Sequence, residues 1–184
     1  MRPRVLALLL MLALGGCGSD PGPPSAAPRP AQARAALAGS PPALRALHAQ
    51  SNRLLGGGPA AFRARLRELR GQPVVVNKWA SWCGPCRAEF PFFQRLATRL
   101  GRRVAFLGVN SNDNDSDAKA FLRRYPVSYP SYRDPGQRVA KVFGATLAFP
   151  TTAFYDARGR LAYVHQGAYA TQAKLREDIT RYAQ

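Results

Sequence analysis

A chain of 184 residues with 46% apolar side chains can hold one globular domain of ordinary size plus appendages. The formal net charge of +17 comes from arginines scattered along amphipathic stretches such as FRARLRELR, with no basic block interleaved with aromatics. That pattern excludes a dedicated nucleic-acid surface and reads as solvated helix faces with a loose affinity for anionic lipid headgroups.

The first residues are an address. Arg2 and Arg4 make a positive start, Val5 to Leu14 is an uncharged apolar run too short to span a bilayer, and small residues lead to Cys17. Residues 1–17 are therefore expected to be a signal peptide, and either way the protein leaves the cytoplasm. LGGC resembles a bacterial lipobox, which implies that Cys17 is lipidated and becomes the first residue of the mature chain. Only Cys83 and Cys86 then remain as thiols, which resolves the odd cysteine count of an exported protein. Residues 18–43, rich in Pro, Ala, Gly and Ser, are read as an extended tether, and 44–184 as the folded domain.

Within the domain, helix and strand signals alternate. Leu44, Leu47, Leu54 and Leu55 suit one helical face, ended by the glycines at 56–58; Phe62, Leu66 and Leu69 mark a second helix. VVVNKWA, after Pro73, is the apolar run of a strand buried on both faces. A helix follows with Phe90, Phe93, Leu96 and Leu100 on one stripe and Gly101 at its end; VAFLGVN is another buried strand, completing a strand–helix–strand unit. SDAKAFLRRY, with a Ser or Asp cap, and QRVAKVF are short helices, and a hairpin turns at Asp156 to Gly159. Leu175, Ile179 and Tyr182 mark a closing helix. The acidic loop alternates Asp113, Asp115 and Asp117 like a calcium loop, but Ala118 and Arg124 stand where glycine and a bidentate glutamate are needed, so it is read as a capped loop. The expected fold class is α/β with a mixed sheet.

Two cysteines in WCGPC sit where the first strand passes into its helix. A structural zinc site needs a second pair of ligands; His48 and His165 lie far apart and share no motif, so no metal is expected. A purely structural disulfide across so short a loop removes little chain entropy. Redox chemistry remains, because free N–H groups and the dipole at a helix start stabilise a thiolate on the first cysteine. Cys83 is then the exposed nucleophile and Cys86, one turn in, the resolving thiol. Gly84 limits bulk beside the sulfur, and Pro85 fits a first turn that needs no N–H.

WCGPCRAEFP together with FPTTAFYDARGRL resembles the thioredoxin superfamily, and within it the extracytoplasmic TlpA/ResA-like thiol–disulfide oxidoreductases, from about Leu55 onward. The resemblance implies a thioredoxin fold, a central mixed sheet with helices on both faces, and a cis peptide bond before Pro150 beside the cysteine pair. It implies that Trp82, Gly84, Pro85, Phe149, Pro150 and Thr151 meet the substrate. It also implies a membrane-tethered protein whose redox centre is the cysteine pair, with no other cofactor. Its partners would be a disulfide-bearing exported protein, as in cytochrome c maturation, and a membrane thiol donor; the protein itself would be a monomer. Asn77 stands where cytosolic thioredoxins carry a buried acid, and Glu89, matching an acid of this branch, is the expected proton acceptor for the pair. Lys78 replaces the usual aromatic residue, and snorkelling out of the sheet's end is the simplest reading.

The direction of electron flow stays open at this level. The Gly-Pro spacer and the Asn77 and Glu89 arrangement resemble the reductive branch, whereas a strongly stabilised Cys83 thiolate on the same fold would serve a disulfide-forming oxidase. A thiol peroxidase would use a lone cysteine in another context, and a binding lipoprotein would have no use for an intact pair.

Overall fold

The computed structural model of the chain describes residues 27–184; the expected signal peptide, Cys17 and the front of the expected tether lie outside them. In chain order the elements are α1 (Pro30–Leu37), α2 (Pro42–His48), β1 (Leu54–Leu55), α3 (Gly58–Glu68), β2 (Val74–Trp79) and α4 (Gly84–Leu100). These are followed by β3 (Ala105–Ser111), α5 (Asp115–Arg124), β4 (Ser131–Asp134), a 3-10 turn (Ala140–Phe143), β5 (Thr151–Tyr155), β6 (Leu161–Gln166) and α6 (Gln172–Tyr182).

One sheet runs in the order β1-β4-β3-β2-β5-β6, the first four strands parallel and the last two antiparallel to their neighbours. β2 is central and buried along its whole length. Alternation along a strand sends successive side chains to opposite faces. Val75 and Trp79 therefore pack with Phe90 and Phe93 of α4, Phe121 of α5 and Leu175 of α6. Val74 and Val76 pack on the other face with Leu44, Phe62, Tyr132 and Phe143. The expected mixed sheet with helices on both faces is the observed architecture.

Several local expectations are corrected. The tether reading does not hold for Pro30–Leu37: α1 forms there, Ala33 and Leu37 are buried, and the Gln94 amide of α4 donates to the Pro28 carbonyl. Two alanine-rich helical turns can bury a narrow apolar stripe that a composition count overlooks. Leu54 and Leu55 leave the helix of Leu44 and Leu47 and form the edge strand β1 beside β4. QRVAKVF makes a 3-10 turn instead of a helix. The α5 cap is Asn114, whose side chain accepts the Asp117 N–H. β4 had no signal, being four residues with a charged Arg133 facing out.

Gly108 of β3 shows how closely the sheet is packed. It lies in register with Asn77 on one side and Ser131 on the other. Over it, the Trp79 indole donates to Ser131 Oγ at 3.1 Å. A Cβ at 108 would stand 2.1 Å from that oxygen and 3.0 Å from Trp79 Nε1. Gly108→Ala should therefore destabilise the fold by about 1–3 kcal/mol through overpacking, read from urea unfolding with the cysteine pair oxidised; unchanged stability would show that this crossing has room to spare.

Candidate active site

The site is assembled at the end of β2, where three connections converge. Cys83 is the N-cap of α4, in extended conformation, and its Sγ accepts the Cys86 N–H at 3.1 Å. A free amide of the first turn is thus already directed at the sulfur that a thiolate would occupy. Cys83 and Cys86 are joined in a disulfide, with Cα atoms 5.3 Å apart. Gly84 and Pro85 form the exposed first turn. In this oxidised form Cys83 is only 3% exposed, which corrects the expectation of an exposed sulfur. Its capping geometry turns Sγ inward to the helix start, and the exposed member of the motif is Trp82, at 54%.

The segment before the cysteines is fastened to the loop after β3. Asp113 accepts the Ser81 N–H at 2.6 Å and the Ser81 hydroxyl at 2.8 Å, and Asn110 donates to the same carboxylate. The Trp82 indole donates to the Asn112 carbonyl at 2.9 Å. The acidic loop therefore anchors the redox motif. Sequence reasoning assigned Asp113 only to a capped loop, since nothing in its spacing shows which backbone it meets.

From the other side comes the β5 entry. The Phe149–Pro150 peptide bond is cis, and the Phe149 ring lies 4.9 Å from that of Trp82. Thr151 is paired with Lys78 across β2 and β5. Trp82 and Phe149, far apart in sequence, are thus brought into one surface next to the cysteines.

Behind the pair, Glu89 is fully buried on α4, three residues beyond Cys86 and so on a neighbouring helix face. Its carboxyl accepts the Asn77 Nδ2–H at 2.7 Å and the Tyr169 backbone N–H at 3.0 Å. Burial pushes its pKa up to about 7, the two hydrogen bonds opposing the shift. Asn77 Oδ1 has no hydrogen-bond partner. Turning the amide over would let Asn77 accept from the protonated acid as readily as it donates to the carboxylate. The Tyr169 contribution is a backbone group, for which the sequence carries no signal.

Lys78 does not leave the sheet's end. It is fully buried, with Nζ 3.0 Å from Gln137 Oε1, 3.2 Å from the Ala148 carbonyl and 3.7 Å from the centre of the Phe149 ring. Burial lowers its pKa to about 8, with Asp134 pulling the other way. His48 and His165 stand apart, the first at the Gly101 carbonyl and the second stacked on Tyr169. Among the described residues no cluster of side chains is suited to a metal ion, and no helix is long and apolar enough to cross a membrane.

This sheet, with a disulfide at a helix start and a cis-proline at the entry of β5, defines a thioredoxin-fold protein built around a dithiol–disulfide centre. The Redoxin family model matches residues 54–179, and the chain belongs to that family. It is 32% identical over 108 residues to the thiol-disulfide oxidoreductase ResA of Halalkalibacterium halodurans, covering 58% of this chain and 61% of that protein. It is 39% identical over 116 residues to a thiol:disulfide interchange protein DsbE homolog of Paracoccus denitrificans, covering 61% and 59%. The chain spans about three fifths of the length of these relatives. Among solved structures, MTB dsbF superposes with a TM-score of 0.58 at 31% identity, over 62% of this chain and 84% of that one. A DsbF homologue from Corynebacterium diphtheriae gives 0.53 at 28%, over 63% and 75%.

The buried acid yields a stability test. Glu89 holds its proton up to about pH 7 in the fold and only to about 4.5 when unfolded. The folded state therefore binds the extra proton in that window, and stability falls as pH rises through it, by on the order of 3 kcal/mol. Glu89→Gln has no proton to lose and should flatten that part of the profile. Urea unfolding of the oxidised protein at pH 5 and pH 8 measures it; the same slope in wild type and variant would remove Glu89 from the buried, proton-holding role.

Proposed function

We propose that the protein is a membrane-tethered, extracytoplasmic thiol–disulfide oxidoreductase that reduces disulfides of exported proteins. The observation that carries the thiol–disulfide chemistry is the placement of Cys83 as the N-cap of α4 with the Cys86 N–H on its Sγ; the reductive direction is supported by the Gly84-Pro85 spacer and by the Asn77 amide on the buried Glu89 carboxyl. The Cys86 N–H and the helix dipole favour the Cys83 thiolate over the thiol. The thiolate attacks one sulfur of a substrate disulfide; that S–S bond breaks, a mixed disulfide forms, and the departing thiolate takes a proton. The Cys86 thiol then gives its proton to the Glu89 carboxylate and attacks Cys83 Sγ. The mixed-disulfide bond breaks, and the second substrate sulfur departs as a thiolate and takes a proton from Glu89 or water. The substrate leaves as a dithiol, two electrons having passed to it from the pair, now a disulfide. An acid with a pKa near 7 is matched to this exchange at neutral pH.

Trp82, Phe149, Pro150 and Thr151 form the surface that receives the substrate peptide. The signal sequence and Cys17 supply the lipid anchor, and a membrane dithiol donor recharges the pair, since a reductant outside the cytoplasm has no other renewal. The disulfide of a cytochrome c haem-binding site is one substrate of the right chemistry. No nucleic acid and no further cofactor enters the reaction, and one chain contains the whole site.

The test is capture in the cell. Cys86→Ser should accumulate mixed disulfides with exported proteins through Cys83, Cys83→Ser should not, and the wild-type pair should be mainly reduced when thiols are trapped rapidly. Equal capture by both variants would overturn the division of labour, and a mainly oxidised resident pair would favour the disulfide-forming alternative.

A further inference from the structure

A lysine near the end of a fully buried central strand is costly, because its ammonium must be stripped of water. An apolar side chain would fill the same space more cheaply. Every group in direct contact with the Lys78 ammonium lies on two loops outside the strand, and the Asp134 carboxylate at the end of β4 favours its charge from further off. Gln137 Oε1 and the Ala148 carbonyl accept two of its protons, and the Phe149 ring offers its π face to the cation. Gln137 is fixed in turn: its N–H donates to the Asp134 carbonyl, its backbone is left-handed with φ at 55°, and the Asp134 carboxylate holds the N–H groups of Val139 and Ala140.

The stretch just before the cis-proline has little else to define its position. Leu147 is 90% exposed, and the Ala148 carbonyl is held only by Lys78 Nζ and the Thr151 hydroxyl among the hydrogen bonds of the described residues. Phe149 is therefore held by contacts with both the Lys78 ammonium and the Trp82 ring. Lys78 lies on the face of the sheet opposite Asn77 and Glu89, since neighbouring residues of a strand alternate, so its contacts reach the substrate surface and not the proton-transfer side.

We propose that Lys78 is a positioning residue for peptide substrates, locking Ala148 and Phe149 so that the Phe149–Thr151 backbone is presented in one orientation beside Cys83. The proposal rests on the reading of that segment as the substrate surface. Its consequence is selectivity by substrate size. A disulfide within a polypeptide that lies along Phe149–Thr151 needs the lock; a small disulfide that meets only the sulfur does not.

The experiment compares insulin with the small aromatic disulfide DTNB as oxidants of the reduced full-chain protein. It uses wild type, Lys78→Met, Lys78→Arg and Gln137→Gly, the last removing one partner of the ammonium while suiting the left-handed backbone. Lys78→Met should raise KM for insulin about five- to tenfold, between the sizes of an exposed and a fully desolvated cation–π contact, with kcat and the DTNB rate unchanged. Lys78→Arg should restore part of the loss, and Gln137→Gly should raise the insulin KM about two- to threefold. If Lys78→Met does not fold, Gln137→Gly carries the test alone. An insulin KM unchanged in the folded variants, or equal losses on both disulfides, would overturn the positioning role. A wild-type protein inactive on both would instead overturn the proposed function and, with it, this role.

Discussion

The complete burial of β2 is the constraint on which the rest of the molecule depends. The strand is paired on both edges and covered on both faces, so each polar group it carries must find a partner inside the protein. It carries three such side chains in a row. Asn77 turns to one face and meets Glu89, Lys78 turns to the other and meets Gln137, Ala148 and Phe149, and Trp79 reaches across β3 to Ser131. Those three obligations position the acid behind the cysteines, the loop beside them and the strand beneath them.

Thiol chemistry follows from where β2 stops. A strand that ends in a helix presents unpaired amides at the junction, and the residue at the cap receives them. Here that residue is Cys83, whose Sγ already accepts the Cys86 N–H; in the proposed mechanism the first sulfur is the thiolate and the second, inside the helix, the thiol that needs a base. Glu89 is close in the helix and far from water, which makes its carboxyl weak enough to exchange protons near neutrality. Tyr169 N–H and Asn77 keep it from being weaker still. The loop carrying Asp113 and the segment carrying Phe149 then hold the motif from two sides, so the exposed Trp82 is supported by contacts at both its indole N–H and its ring face.

How much of this was legible in the sequence depends on whether a local pattern encodes it. β2, β3, α4 and the hairpin announce themselves because burial on both faces demands continuous apolar runs and a helix stripe demands its own period. The cysteine pair and Pro150 are legible as motifs. β1 and β4 are not, since two and four residues at one side of a sheet hold too little pattern to distinguish from loop. α1 was obscured because its proline- and alanine-rich stretch has the composition of a linker, although Leu37 and Ala33 find a surface on the domain. Glu89 could be named from its spacing to Cys86, but its partner at Tyr169 is a backbone amide 80 residues away. Lys78 stands out in the sequence as an anomaly whose position allows snorkelling; only the fold shows that its ammonium meets Gln137, Ala148 and Phe149 inside the protein.

The central claim is that the pair at the head of α4 is a reducing couple. Its equilibrium reduction potential, obtained by titrating the purified protein against glutathione at pH 7, addresses this most directly. The account expects a value near the approximately −270 mV of thioredoxin. A value near the approximately −120 mV of DsbA would mean a disulfide less stable relative to the dithiol by about 7 kcal/mol, and would contradict it.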